Sequence, residues 1–245
     1  MIKKLFIVGI LIGFFNCSAQ EALSGKLSSW EHGPADVIMM MTGEPFAIGT
    51  VDESGDFNIP LKDDILEKTK KTMAAQNESS SGGRFTSNPL NVAFSCDKGE
   101  SLKIENGDQV PTTLATMGGF TVASLEKKKM YGAFMIASSE EFAEAFSSYG
   151  QKDALPGYYL NWYYLEEPAS IKGTCALNEF SVSGKDKYQI STTYKLQFKK
   201  GWNLVKVSVS DTYTDSDGKV YSSKFSYNTI EEVPKDAQYV FLNGQ

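Results

Sequence analysis

The sequence predicts a mainly β protein with an antiparallel β-sandwich architecture and two short helices. Three observations carry this. Residues 188–198 alternate almost perfectly, with Tyr188, Ile190, Thr192, Tyr194, Leu196 and Phe198 on one side and Gln189, Ser191, Thr193, Lys195 and Gln197 on the other, which is the period of a half-buried strand. Clusters of Asp, Ser and Gly at residues 52–56 and 215–219 separate apolar runs as hairpin turns do. Helical apolar spacing is confined to residues 62–76 and 138–149.

The first element is an export signal over residues 1–19. Lys3 and Lys4 precede an apolar run from Leu5 to Phe15, too short for the roughly 20 residues of a membrane span and in the order of a secretory leader. Two processing routes compete. A peptidase can cut after Ala19, with Cys17 and Ala19 as its small residues, or Cys17 can become a lipidated first residue and an outer-membrane anchor. The mature chain is then periplasmic or secreted, or a membrane-anchored lipoprotein. Losing Lys3 and Lys4 moves the net charge from −6 to −8, which disfavours nucleic acid and anionic membrane surfaces as partners. No second long apolar run follows, so no transmembrane segment is expected after the signal.

Residues 20–112 read as a small β-sandwich module. Its strands are 25–30, 36–42, 45–51 and 57–61, with turns at 31–36 and 52–56. A helix over 62–76 follows, with Ile65, Leu66, Thr69 and Met73 as its apolar stripe, then a flexible loop at 77–84. A strand at 90–96 and a polar turn at 97–100 complete the module. Residues 113–245 read as an antiparallel β domain. Strands at 119–125 and 130–137 are joined by the charged residues 126–129, and a helix over 138–149 has Ser138 or Ser139 as its cap. The aromatic strand 158–165 puts Tyr158, Leu160, Trp162 and Tyr164 on one face and Tyr159, Asn161, Tyr163 and Leu165 on the other. Strands 188–198, 204–211 and 220–227 form a meander, and residues 239–242 a last short strand.

Residues 24–61, through Gly25, Val37 to Met39, Gly49, Asp52, Gly55 and Phe57, resemble the small β modules of the transthyretin-like and carboxypeptidase-regulatory-like type. That resemblance implies a fold and no activity. The leader resembles those of Bacteroidetes secreted proteins. The segment from Tyr158 onward, with Trp162 to Tyr164, Gly173 to Cys175 and Lys199 to Asn203, resembles uncharacterised secreted proteins and lipoproteins, which implies architecture alone.

Chemistry-bearing patterns are few. The single histidine, His32, sits in a turn and reads as an exposed loop residue, so a zinc site with two or three histidines is excluded within the chain. There is no GxSxG, no CxxC and no phosphate loop, and no catalytic residue is assigned. Calcium is the one cofactor considered, at Asp211, Asp215 and Asp217 or at Asp52, Glu53 and Asp56, although neither group has EF-hand spacing and both double as turn formers. Cys96 and Cys175 are either a disulfide or two buried thiols. The aromatic strand offers Tyr158, Trp162 and Tyr164 as a ligand surface, against packing between sheet and helix as the alternative. The expectation is an exported envelope or secreted protein with a non-catalytic binding or structural role. The second reading is a carbohydrate-binding accessory protein or glycan hydrolase using residues 158–165, with a glycan or an envelope protein as partner.

Overall fold

The Asp52–Asp56 hairpin turn is built by one carboxylate. Asp52 Oδ1 accepts from the backbone N–H groups of Ser54 (2.8 Å) and Asp56 (3.0 Å), and Gly55 takes φ +87°, a conformation that suits glycine. This turn joins β3 (Phe46–Val51) to β4 (Asp56–Pro60). The computed structural model describes residues 21–40, 44–79, 87–96, 102–115 and 117–244. The signal segment with Cys17 lies outside them, as do residues 80–84 of the predicted loop, the predicted turn at 97–100, and Met41 and Thr42 of the second strand.

Strands hold 51% of the described residues and helices 13%, so the protein is mainly β. Its strands form one large mixed sheet. β1 (Ala22–Lys26) begins three residues before the predicted strand and pairs with β4. β3 lies between β4 and β2 (Ala35–Met39), and β2 pairs in turn with β7 (Gly119–Ser124). The expected boundary at 112/113 therefore falls inside a continuous sheet. β8 (Lys129–Ala137) has β7 along one edge and β14 (Gln238–Asn243) along the other. β14 returns to the start of the chain: the Ser28 N–H donates to the Tyr239 carbonyl at 2.9 Å. Gly25 permits that approach, since a Cβ there would lie 2.7 Å from the Tyr239 ring.

At Ala137, β8 also meets Tyr159 of β9 (Gly157–Leu165), which leads into the second half of the sheet. There the order is β9, β12 (Gly201–Thr214), β13 (Val220–Ile230), β11 (Lys187–Phe198), β10 (Ala169–Phe180) and β5 (Lys103–Glu105). The two-residue β6 (Thr112–Thr113) pairs with β9. The predicted meander is corrected here. β12 and β13 form the expected hairpin, but β11 pairs with β13, and in parallel. Alternation assigns a strand its faces and not its neighbours, so the periodicity was compatible with either order.

Among the described residues, three helices accompany the sheet. α1 (Asp64–Ser79) buries Ile65, Leu66 and Thr69, and it takes in residues 77–79 of the predicted loop. α3 (Glu140–Ser147) is capped by Ser139, whose side chain accepts from the Phe142 N–H. α2 (Leu90–Ala93) replaces the predicted strand at 90–96. Leu90 and Phe94 are four residues apart, and one helical turn buries both, while Val92, which a strand would have placed beside them, is 54% exposed. Cys96 follows this turn and is joined to Cys175 of β10, with their Cα atoms 5.2 Å apart. Of the two readings of these cysteines, the disulfide holds.

β9 separates two cores. Tyr158, Leu160 and Trp162 enter one with Val37, Phe57, Phe120 and Phe134. Tyr159 and Leu165 enter the other with Leu90, Phe94, Ile171, Val205 and Val207. Both faces of the aromatic strand are therefore covered. Among the described residues, no helix is long and apolar enough to cross a membrane.

Candidate ligand-binding site

The connection between β11 and β12 has an unusual task. β13 lies between these two strands, so residues 199–200 must step past its end. Gly201 supplies φ +88°. Asn203, only 4% exposed, ties the step together. Its Oδ1 accepts from the Lys199 N–H at 2.8 Å, and its Nδ2 donates to the carbonyls of Lys199 (2.7 Å) and Gly201 (2.8 Å). A buried amide is used close to its capacity, as a low-dielectric site requires.

This rigid step fixes Trp202 opposite Tyr164 in the β9–β12 ladder. The two rings meet edge to face, with centroids 5.2 Å apart. Trp202 is half-buried, and its Nε1 is enclosed without a hydrogen-bond partner, an arrangement that costs about 1–3 kcal/mol. Beside it opens a cleft of about 400 Å³. Trp202, Ile230, Leu61 and an edge of Trp162 supply its apolar wall, and Lys199, Lys200, Glu231, Asp63 and Glu21 its charged groups. Lys199 Nζ lies 3.3 Å from Glu231, and Lys200 Nζ lies 4.0 Å from Glu167. The Tyr164 phenol is held above its ordinary pKa by burial and by the nearby charges of Asp63 and Glu166.

The predicted ligand residues lie next to this cleft or away from it, and not as an exposed row. Trp162 is 1% exposed and packs edge to face on Phe120. Tyr158 is buried, its hydroxyl donating to Asp236 at 2.9 Å while Lys206 Nζ sits 3.9 Å above its ring. Tyr164 is buried against Trp202. Of the two readings offered for this strand, ligand surface or packing, the rings take the second: Tyr158 and Trp162 lie in the first core and Tyr164 lies against Trp202.

The predicted calcium ligands are bound up separately. Asp215 is buried and accepts from the backbone N–H groups of Asp217 (3.0 Å) and Lys219 (2.8 Å) and from the Tyr221 hydroxyl (3.1 Å). Asp217 pairs with Lys185 and Asp211 with Lys224. Asp52 closes its own turn, with its pKa lowered chiefly by the Ser54 hydroxyl, and Asp56 accepts from that hydroxyl and faces Lys26. Among the described residues, no three His, Cys, Asp or Glu side chains gather as metal ligands would.

His32 departs from the exposed loop residue that its turn suggested. It is half-buried, stacked on Tyr131 at 4.9 Å, and its Nε2 lies 3.1 Å from Asn243 Oδ1. Trp30 and Phe241 complete that ring cluster.

Sequence reading missed Trp202, Lys199 and Glu231 as site residues. One signal was present: Trp202 and Leu204 fall on the opposite face of β12 from Val205, Val207 and Val209, so this strand carries apolar groups on both sides at that end. No family model, no curated protein and no solved structure matches the chain. The resemblances noted at residues 24–61 and from Tyr158 onward rest on their own motifs.

Proposed function

We propose that this is an exported envelope or secreted protein that holds a small ligand without transforming it, in the cleft beside Trp202. The observation that carries the reading is the cleft itself, about 400 Å³, within the size range of small-molecule sites and walled by a ring that a braced backbone step holds in place. Export is supported by the leader-like residues 1–19 and fits a cross-link between Cys96 and Cys175, a bond favoured by oxidising compartments. Anchoring through Cys17 and release after Ala19 are the two forms of this proposal.

Two measurements test it. Intact mass and fractionation of the protein made in its own host distinguish a chain that starts at acylated Cys17 in the membrane fraction from a free one starting at Gln20. A full-length chain retained in the cytoplasm contradicts export. A thermal-shift screen of a small-molecule library is expected to yield ligands whose stabilisation disappears in Trp202→Ala. Ligands that stabilise that variant equally well contradict the site.

A further inference from the structure

We infer that the ligand of this cleft is a neutral carbohydrate of two or three sugar units, an inference that rests on the cleft being a ligand site. The donor set leads to it. Lys199 offers only donors and Glu231 only acceptors, and they stand 3.3 Å apart at the rim with side chains 51% and 82% exposed. They are free to swing apart and take one polar group between them. Lys200, which also lines the cleft, lies 4.0 Å from Glu167, a residue outside the lining.

A strongly charged ligand is poorly served here. The cleft holds two ammonium groups, Lys199 and Lys200, and three carboxylates, Glu231, Asp63 and Glu21, so an anion meets three like charges and a cation two. A hydroxyl both donates and accepts, so it bridges the pair and leaves neither charge alone.

The wall supplies the second half of the recognition. The half-buried Trp202 ring is an apolar surface with little conformational entropy to lose, and the C–H face of a pyranose matches it. An alkyl chain would cover the same ring but would strip water from the charged rim without replacing its hydrogen bonds. The cleft, at about 400 Å³, is too small for a long glycan to be enclosed, so a longer chain would enter by one end.

The test is calorimetric titration of the folded, disulfide-intact protein with maltotriose, cellotriose, xylotriose and chitotriose, and with spermidine, citrate and laurate for comparison. The expected result is binding of at least one trisaccharide. Affinity should fall at least about tenfold in Trp202→Ala and about three- to tenfold in Glu231→Ala. Should Trp202→Ala not fold, the double change of exposed Lys199 and Glu231 to alanine serves in its place. Binding of spermidine, citrate or laurate that depends on Trp202, with no trisaccharide bound, overturns the carbohydrate class and leaves the cleft standing. Binding of no probe overturns the inference. Trisaccharide binding that is indifferent to these changes overturns it too, by placing the sugar elsewhere.

Discussion

Removing the Cys96–Cys175 bond should loosen one corner of the second core. The cross-link spans 79 residues of sequence, and closing a loop of that length removes roughly 15 cal/mol/K from the unfolded chain, about 4.5 kcal/mol at room temperature. The native side of the bond has a clear tenant. α2 is a single turn that could not persist alone, and it is held by Leu90 and Phe94, which are 0% and 7% exposed. Phe94 meets Tyr194, Tyr227 and Tyr163 at centroid distances of 5.5, 6.3 and 6.5 Å. In Cys96→Ala/Cys175→Ala, the loss should lie between about 2 and 5 kcal/mol. With a urea dependence of about 3 kcal/mol per molar, the midpoint falls by roughly 0.7–1.7 M. Equilibrium unfolding followed by circular dichroism reads the midpoint, and tyrosine fluorescence reports the release of Phe94 from its ring cluster. A midpoint unchanged within error would refute the reasoning, since it would mean that the bond constrains nothing that α2 and its core contacts do not already hold.

Asn203→Ala removes the three hydrogen bonds that brace the step from β11 to β12 and is expected to cost about 2–4 kcal/mol, with Trp202 fluorescence changing in the native state. Asp215→Ala strips three donors of their acceptor in the β12–β13 hairpin turn and should cost about 2–4 kcal/mol by thermal unfolding, while added calcium leaves both proteins unchanged. Alkaline pH should unfold the protein through its tyrosines. Burial holds Tyr159, Tyr163 and Tyr227 above their ordinary pKa and raises Tyr194 to about 12 from an ordinary 10.0. The folded state therefore keeps its protons longer than the unfolded state. The stabilisation is complete below pH 10 and is lost as pH rises through about 12. Tyrosinate absorbance and circular dichroism should change together in that window. Ionisation of all the tyrosines near pH 10 with the fold intact would contradict the burial argument.

Much of the β content was legible because alternation is a local property. β11, β12 and β13 each follow the faces read from their residues, and the Asp-containing turns fall where predicted. Neighbour relations were not legible. The two-residue step at Lys199–Lys200 reads as a tight hairpin turn, yet it carries the chain past β13, and the buried bonds of Asn203 brace that path. The run at 90–96 was misread because Leu90, Val92 and Phe94 satisfy a period of two while Leu90 and Phe94 alone satisfy a helical turn, and the disulfide at Cys96 together with the core selects the second. The cleft escaped for a different reason. Leu61, Trp162, Trp202 and Glu231 come from four separated parts of the chain, and no local pattern marks their meeting. Trp162 is one ring of an aromatic strand, and composition does not separate a strand covered on both faces from one that displays a face.

The most direct measurement uses the three indole N–H signals of Trp30, Trp162 and Trp202 in an NMR titration with the tightest-binding ligand. Trp202 lines the cleft and Trp162 reaches it with an edge, while Trp30 belongs to the His32 ring cluster. The expected result is a saturable shift of the Trp202 signal, a smaller shift of Trp162 and a stationary Trp30. A shift confined to Trp30, or saturation with all three signals unmoved, would show that the cleft beside Trp202 is not where this protein holds its ligand.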